Sequence, residues 1–171
     1  MAETNQQDAI ALLKEDHRRV EELFAQFEKA RGDGRKEKLA KQICLELTVH
    51  AQIEEEIFYP ACEGKVDDDL LKESFVEHDG AKILISEIEA GSGETDEYFD
   101  SKVKVLQEQI EHHVEEEEKR GEGLFSQARK AEIDLDEVGV RLAARKSQLM
   151  TQFEAGGVPK PELTTMTTAE V

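Results

Sequence analysis

The sequence predicts an all-α protein, and three observations lead to this prediction. Only three of the 171 residues are proline, and Glu, Lys, Leu, Ala and Gln, which favour helices, are abundant. Apolar residues recur three and four positions apart, which is the spacing of one helix face. Glycine and aspartate residues separate these segments into long pieces. We therefore expect an up-and-down antiparallel four-helix bundle with an additional C-terminal helix.

The first two predicted helices are bounded by residues that end helices. The first helix covers about residues 7–30 and stops at Gly32. The second runs from about 35 to 61, where Pro60 and Gly64 end it. A short turn between them makes them antiparallel neighbours.

The next two predicted helices follow the same punctuation. The residues Asp67–Asp69 supply the N-terminal cap of a third helix that ends near Gly91. Thr95 or Asp96 opens a fourth helix, which reaches at least Lys119. These four helices complete the predicted bundle.

The segment after the fourth helix contains a break and one further helix. Gly121 and Gly123 in the sequence RGEG each weaken a helix by about 1 kcal/mol relative to alanine, so an interruption is expected there. Asp134 and Glu137 resemble a capping box, and a stripe of apolar residues follows. Its members are Leu135, Val138, Leu142, Leu149 and Phe153. This fifth helix packs either on the bundle or on a partner subunit.

The domain organisation follows from these elements. We expect the bundle in residues 1–130, the accessory helix in 131–154 and a disordered tail in 155–171, where apolar residues are few.

Charge and hydropathy restrict the classes of function. Lys and Arg total 22 against 40 Asp and Glu, giving a net charge of −18 that repels phosphate backbones, so nucleic-acid binding is not expected. No stretch approaches the length of a membrane span, and MAETNQQDAI lacks the features of a secretory signal, so we expect a cytoplasmic protein. Cys44 and Cys62 are far apart and form no C-x-x-C motif, which favours buried thiols over a redox or zinc role.

Each predicted bundle helix aims one histidine toward the core, and two of them also aim a glutamate there. The six residues are His17, His50, Glu54, His78, His113 and Glu117. Counted from the turns, His17, His50 and His78 lie about 21 Å along their helices, on one level. His113 reaches that level only if a longer connection precedes its helix. The neighbouring His112 is out of phase with the apolar stripe.

The chemistry of this layer points to a metal. A single histidine on an apolar stripe is usually a hydrogen-bonded core residue, but four on one level beside two glutamates are not explained that way. Buried carboxylates cost several kcal/mol unless a cation compensates them. The spacing His-x-x-x-Glu lets one helix supply an imidazole to one ion and a carboxylate that reaches a second. Imidazole with carboxylate favours iron or manganese, and zinc would also bind.

Four segments resemble the hemerythrin family, specifically the bacterial HHE cation-binding domain. These are KEDHRRVEELF, HAQIEEEIFYPA, VEHDGAKILISEI and HHVEEEE, within about residues 8–130. The resemblance implies a non-haem di-iron centre with an oxo or hydroxo bridge. It implies that the four inward histidines are terminal ligands and that Glu54 and Glu117 are bridging ligands. The ferritin-like alternative needs Glu-x-x-His motifs, which this sequence lacks.

Two departures from the family pattern bear on activity. Oxygen-carrying hemerythrins have a fifth histidine where this chain has Ser74, which implies open positions on both irons and favours peroxide or redox chemistry over simple carriage. RGEG also interrupts a stretch that is continuous in many relatives.

Several functions stay open from the sequence. The protein binds O2 or NO at a reduced metal pair, or it is an enzyme that decomposes peroxide, or it handles iron without catalysis, as a monomer or a homodimer. For three nearby features the sequence favours a structural role. Tyr59 is interpreted as an aromatic plug, Lys82 as a side chain extending to solvent, and residues 115–118, apart from Glu117, as a solvated face.

Overall fold

The computed structural model describes residues 7–167, and within them all regular elements are helical, as predicted. Four long helices, α1, α2, α4 and α5, form the bundle, and α7 lies beside it. The elements are α1 Ala9–Lys29, α2 Asp33–Ile53, a π-helical turn Glu54–Phe58, α3 Tyr59–Cys62, α4 Asp68–Ala90, α5 Phe99–Glu118, α6 Leu124–Lys130 and α7 Leu135–Gly156.

Aspartate side chains cap three of these helices at their N-termini. Asp8 accepts a hydrogen bond from the Ala11 amide, Asp67 from that of Leu70 and Asp134 from that of Glu137. Each cap satisfies an amide that has no partner within its own helix.

The fourth bundle helix begins three residues later than predicted. The carboxylate of Asp96 accepts from the Tyr98 amide at 2.9 Å, so it closes a turn and does not cap a helix that starts there. Helix α5 starts at Phe99. This longer connection raises His113 toward the level of the other histidines.

The predicted second helix contains a wide turn that the sequence reading did not expect. The amide of Tyr59 donates to the carbonyl of Glu54, five residues earlier, which is the π-helical pattern. In an α-helix residues five apart point in different directions, because each residue adds about 100° of rotation. The wider turn brings Tyr59 toward the same face as Glu54.

The polar layer lies between two apolar clusters of the core. One cluster includes Leu13, Ile53 and Leu71, and the other includes Val20 and Leu47. In α1, His17 falls between Leu13 and Val20, so its level is the boundary of the two clusters. The same boundary is crossed at the histidines of α2 and α4. The apolar clusters therefore seal the histidine layer from both ends of the bundle.

Helix α7 packs on α1 and α2 of the same chain, which answers the question the sequence left open. Its residues Val138, Leu142, Leu149 and Phe153 are buried there. The sequence favours disorder after residue 154, whereas α7 continues to Gly156 and Val158 packs against the core. Residues 168–171 of the expected tail lie outside the described residues. Within residues 7–167, no helix is both long enough and apolar enough to span a membrane.

Candidate metal centre

The structure brings the six predicted ligand residues together in one buried layer. All four histidines are buried, and Glu54 and Glu117 are almost completely shielded from solvent. The histidines form two pairs, His17 with His50 and His78 with His113. The ring centroids are 4.9 Å apart in the first pair and 4.8 Å apart in the second.

Each imidazole is held from behind by a carboxylate that the sequence reading did not select. In every case Nδ1 donates, which leaves Nε2 free to face the interior. The pairs are His17 with Glu118 at 2.7 Å, His50 with Asp16 at 3.0 Å, His78 with Glu55 at 3.2 Å and His113 with Glu77 at 3.0 Å. Four Nδ1 hydrogen bonds of one kind set a common orientation for the four rings.

Glu54 lies between the two histidine pairs. Its Oε1 atom is 2.9 Å from Nε2 of His50 and 3.4 Å from Nε2 of His78, which belong to different pairs. A carboxylate in this position can reach a cation beside either pair.

Glu117 spans the two pairs in the same way from the opposite helix. Its Oε1 atom is 3.3 Å from Nε2 of His17 and 3.1 Å from Nε2 of His113. The layer therefore has two carboxylates that connect two imidazole pairs.

Several inward-facing atoms of the layer lie close to one another but do not meet with the geometry of a hydrogen bond. They are Nε2 of His17, Nε2 of His50, both carboxylate oxygens of Glu54 and Oε1 of Glu117. Buried polar atoms normally have partners, and leaving one without costs about 1–3 kcal/mol. Two groups each place three ligand atoms within 4.8 Å of one another, namely His17, His50 and Glu117, and Glu54, His78 and His113. The donor set therefore fits a pair of cations.

The ionisation of these groups shows how strongly the layer favours positive charge. Burial opposes the charged form of His50, but the Glu54 and Asp16 carboxylates outweigh it and raise the pKa from 6.5 to about 10. Burial likewise opposes ionisation of Glu117, but His113 and His17 lower its pKa well below 4.5. Protons on imidazoles supply the positive charge that a metal would bring.

Tyr59 reaches this layer, whereas the sequence favoured its interpretation as an aromatic plug. Its ring is fully buried, and its hydroxyl donates to Glu117 Oε2 at 3.2 Å and lies 3.2 Å from Nε2 of His78. Burial, together with the negative charges of Glu117 and Glu54, raises the pKa of the phenol well above 10, so the hydroxyl keeps its proton. The interpretation as an aromatic plug is wrong for the hydroxyl, because the π-helical turn rotates Tyr59 inward.

Ser74, at the position of the fifth hemerythrin histidine, is buried but makes no direct contribution to the ligand set. Its hydroxyl donates to the Leu70 carbonyl one turn earlier, at 3.1 Å. On this side of the layer the polar group that contacts His78 is the Tyr59 hydroxyl and not the Ser74 side chain.

His112 lies outside the layer, as its phase in the helix predicted. It is exposed, and Nε2 lies 3.5 Å from carboxylate oxygens of both Glu77 and Glu116. These three residues form a further, partly exposed group that could hold a cation.

The four carboxylates behind the histidines and the role of Lys82 were not predicted from the sequence. Glu118 follows Glu117 and Glu77 precedes His78 in sequence, so adjacency to a predicted ligand was an available signal. The partnership itself crosses between helices and needs the structure. Lys82 was expected to extend to solvent, but its Nζ lies 2.9 Å from Glu55 Oε2.

A helical bundle with buried histidines and carboxylates from opposed helices defines a class of metal-binding bundle proteins. The family model for the hemerythrin HHE cation-binding domain matches residues 8–121, and the chain belongs to this family. A crystal structure of an HHE cation-binding domain-containing protein from Mycobacterium kansasii superimposes with a TM-score of 0.72 at 20% identity, covering 89% of this chain and 95% of that one. At that identity the likeness supports the fold.

One curated relative is a longer protein. The chain is 31% identical over 114 residues to a protein named DNA nickase from Nostoc sp. strain PCC 7120. The match covers 67% of this chain and 31% of the relative, so it spans about a third of that protein's length.

Proposed function

We propose that this chain binds a pair of iron ions through His17, His50, Glu54, His78, His113 and Glu117, and that the pair binds or reacts with O2, peroxide or NO. The observation that supports this most directly is the set of buried, inward-facing nitrogen and oxygen atoms that form no hydrogen bond of normal geometry, among them the oxygens of two carboxylates that span two imidazole pairs. Manganese or zinc could bind to the same nitrogen and oxygen donors.

An iron pair in this layer would supply reversible electron transfer and an open position for a small ligand. The protein's own residues have separate roles. The carboxylates behind the histidines keep the imidazoles oriented, and the apolar clusters exclude water from both ends. Tyr59 keeps its proton and can donate a hydrogen bond to a ligand in the layer.

A peroxide-decomposing enzyme is the second candidate, and the Ser74 and Tyr59 arrangement favours it. Ser74 has no imidazole to offer, while the neighbouring phenol supplies a proton-bearing group inside the layer. General acid catalysis needs such a group within hydrogen-bond reach of the reacting oxygen.

Metal analysis of protein from iron-supplied cells tests the binding proposal, and an optical spectrum recorded after reduction, then O2, then peroxide separates the candidates. About two irons per chain supports the site. A stable O2 adduct favours a binding protein, whereas rapid loss of added peroxide with return of the starting spectrum favours the enzyme. Protein without iron, or with one zinc, would contradict the iron assignment.

DNA cleavage, the activity in the name of the cyanobacterial relative, is not the function that we propose for this chain. The match covers under a third of that protein, and a net charge of −18 repels a phosphate backbone.

A further inference from the structure

A large cavity, partly open to solvent, adjoins the histidine layer. Its volume is about 850 Å³, and all four site histidines contribute to its wall. Cavities that hold organic ligands have volumes of about 300–1,000 Å³, whereas one water occupies about 30 Å³. The cavity is therefore far larger than O2, NO or peroxide requires.

The interior wall of the cavity is mainly apolar. Side chains from all four bundle helices line it, including Val20, Leu47, Ile85 and Val114. The small residues Ala51 on α2 and Ala81 on α4 also line it. A molecule in this space would bury hydrocarbon surface, which stabilises a complex by about 25 cal/mol per Å² of apolar area.

One wall is formed by the C-terminal strap, which we define as residues 157–166. Residues 158–164 of the strap line the cavity. Val158 packs against both apolar clusters of the core. The strap thus closes the cavity on a side that the bundle helices leave uncovered.

The strap is attached to the bundle by Asp79, a fully buried carboxylate on α4. Asp79 accepts from the amides of Thr164 at 3.0 Å, Thr165 at 2.6 Å and Met166 at 2.9 Å, and from the Thr165 hydroxyl at 2.7 Å. Hydrogen bonds to a charged acceptor are stronger than those between neutral groups. These hydrogen bonds to Asp79 therefore attach the strap firmly to α4, although the strap itself contains no helix or strand.

The strap also contacts the carboxylate ring behind the histidines. The Thr164 hydroxyl donates to Glu55 Oε1 at 2.8 Å, and Glu55 holds Nδ1 of His78. Lys82 donates to the Glu162 carbonyl at 3.0 Å. Glu55 therefore contacts both the strap and one of the site histidines.

The charges around the cavity favour an uncharged occupant. Glu55, Glu56 and Glu89 line it, and an anion would face their repulsion. Lys82 is already paired with Glu55 and Asp79. Lys160 of the C-terminal strap also lines the cavity, but it is exposed to solvent. A cationic ligand inside the cavity would have to leave water for apolar surface.

We propose that this cavity binds an uncharged, mainly apolar organic molecule beside the metal layer and that the C-terminal strap closes over it. The inference deepens the proposed function, because it assigns an organic ligand to the same centre. Ligand binding and metal content are separate measurements, so the two proposals can be tested separately.

Titration of the metal-loaded protein with Nile red, an uncharged apolar dye, tests the site. We expect saturable binding of one dye per chain, and Ala51→Phe and Ala81→Phe should each weaken it about tenfold or more by filling the cavity. Val105→Phe is the matched control, because Val105 is exposed on α5 and does not line the cavity. Unsaturable binding, or equal affinity in all four proteins, would overturn the proposal.

Hydrogen exchange tests the strap in the same samples. The amides of Thr164, Thr165 and Met166 should exchange slowly and slow further with Nile red, while Asp79→Ala should speed their exchange more than tenfold. Exchange rates that change neither with the dye nor with the substitution would contradict the proposal that the strap closes over the cavity. Metal content is measured in parallel. Saturable dye binding by protein that contains no iron would refute the proposed function and support the cavity proposal. Two irons per chain without dye binding would support the proposed function and refute the cavity proposal.

Discussion

Each site histidine uses its two ring nitrogens for different tasks. Nδ1 donates to a carboxylate, as for His50 with Asp16, and Nε2 faces the layer. This arrangement selects one tautomer and increases the basicity of the inward nitrogen. Replacing an inward carboxylate therefore removes a proposed metal ligand directly, whereas replacing an outer carboxylate acts through the imidazole ring that it holds.

Glu54→Ala and Glu117→Ala are expected to lower the metal content below two ions per chain. Each substitution removes a carboxylate that connects one histidine pair to the other. Metal analysis of the purified variants measures the effect. His112→Ala is the control and should retain both ions, because His112 is exposed. Two irons retained in both glutamate variants would refute the ligand assignment.

Tyr59→Phe should keep the metal and change the spectrum of the iron-loaded protein. The ring packs edge-on against Phe75 with centroids 5.1 Å apart, a contact that phenylalanine preserves. Only the hydroxyl beside Glu117 and His78 is lost. Optical spectra with and without peroxide report the change, and a variant indistinguishable from the native protein would show that the hydroxyl plays no part at the centre.

At the scale of elements, the helices were predictable because local chemistry determines their ends. Asp67 and Asp134 cap helices at the positions predicted for them, Asp8 caps α1 close to its predicted start, and apolar spacing identified the buried faces. The inward layer followed from the same 3.6-residue period. The family membership expected from four short segments is confirmed by the match over residues 8–121.

The period fails where the backbone departs from an α-helix. The π-helical turn at Glu54–Phe58 widens the helix, so a count based on α-helical rotation places Tyr59 on the wrong face. Partners across helices, such as Asp16 with His50, depend on packing that no local pattern encodes. The contact of the C-terminal strap with Asp79 belongs to the same category.

The interruption after α5 has a steric reason. Gly123 is the N-cap residue that precedes α6, and a Cβ there would lie 2.7 Å from the carbonyl oxygens of Glu116 and Glu117. Close packing of this backbone against the last turn of α5 therefore requires glycine. The same turn holds the predicted ligand Glu117.

Gly123→Ala is expected to lower the free energy of unfolding by about 1–3 kcal/mol, since the new methyl must displace backbone. Because that backbone holds Glu117, metal content should fall as well. Gly34→Ala is the matched control, because nothing lies within 4 Å of its added Cβ and it should stabilise α2 by about 0.5 kcal/mol. Chemical denaturation measures both variants. Equal stability of Gly123→Ala and the native protein would contradict the close contact.

At the scale of the whole molecule, the metal layer concentrates negative charge inside an already acidic protein. The chain has a net charge of −18, and six carboxylates surround the four imidazoles. Without a metal, protons must supply the compensating positive charge. The stability of the fold and its metal binding should therefore respond to pH in opposite directions.

Removal of the metal should destabilise the protein, and the loss of stability should increase as the pH rises. In the metal-free fold, burial opposes the charge on His50 but Glu54 and Asp16 raise its pKa from 6.5 to about 10. A raised folded-state pKa contributes stability fully below the unfolded value of 6.5, and this is lost as pH rises through about 10. Metal ligation needs unprotonated imidazole, so metal affinity increases over the same range. The difference in Tm between iron-loaded and metal-free protein should therefore widen from about pH 6 to about pH 9 in calorimetry. His112→Ala should show the same widening, and a constant or shrinking difference in the native protein would contradict this account.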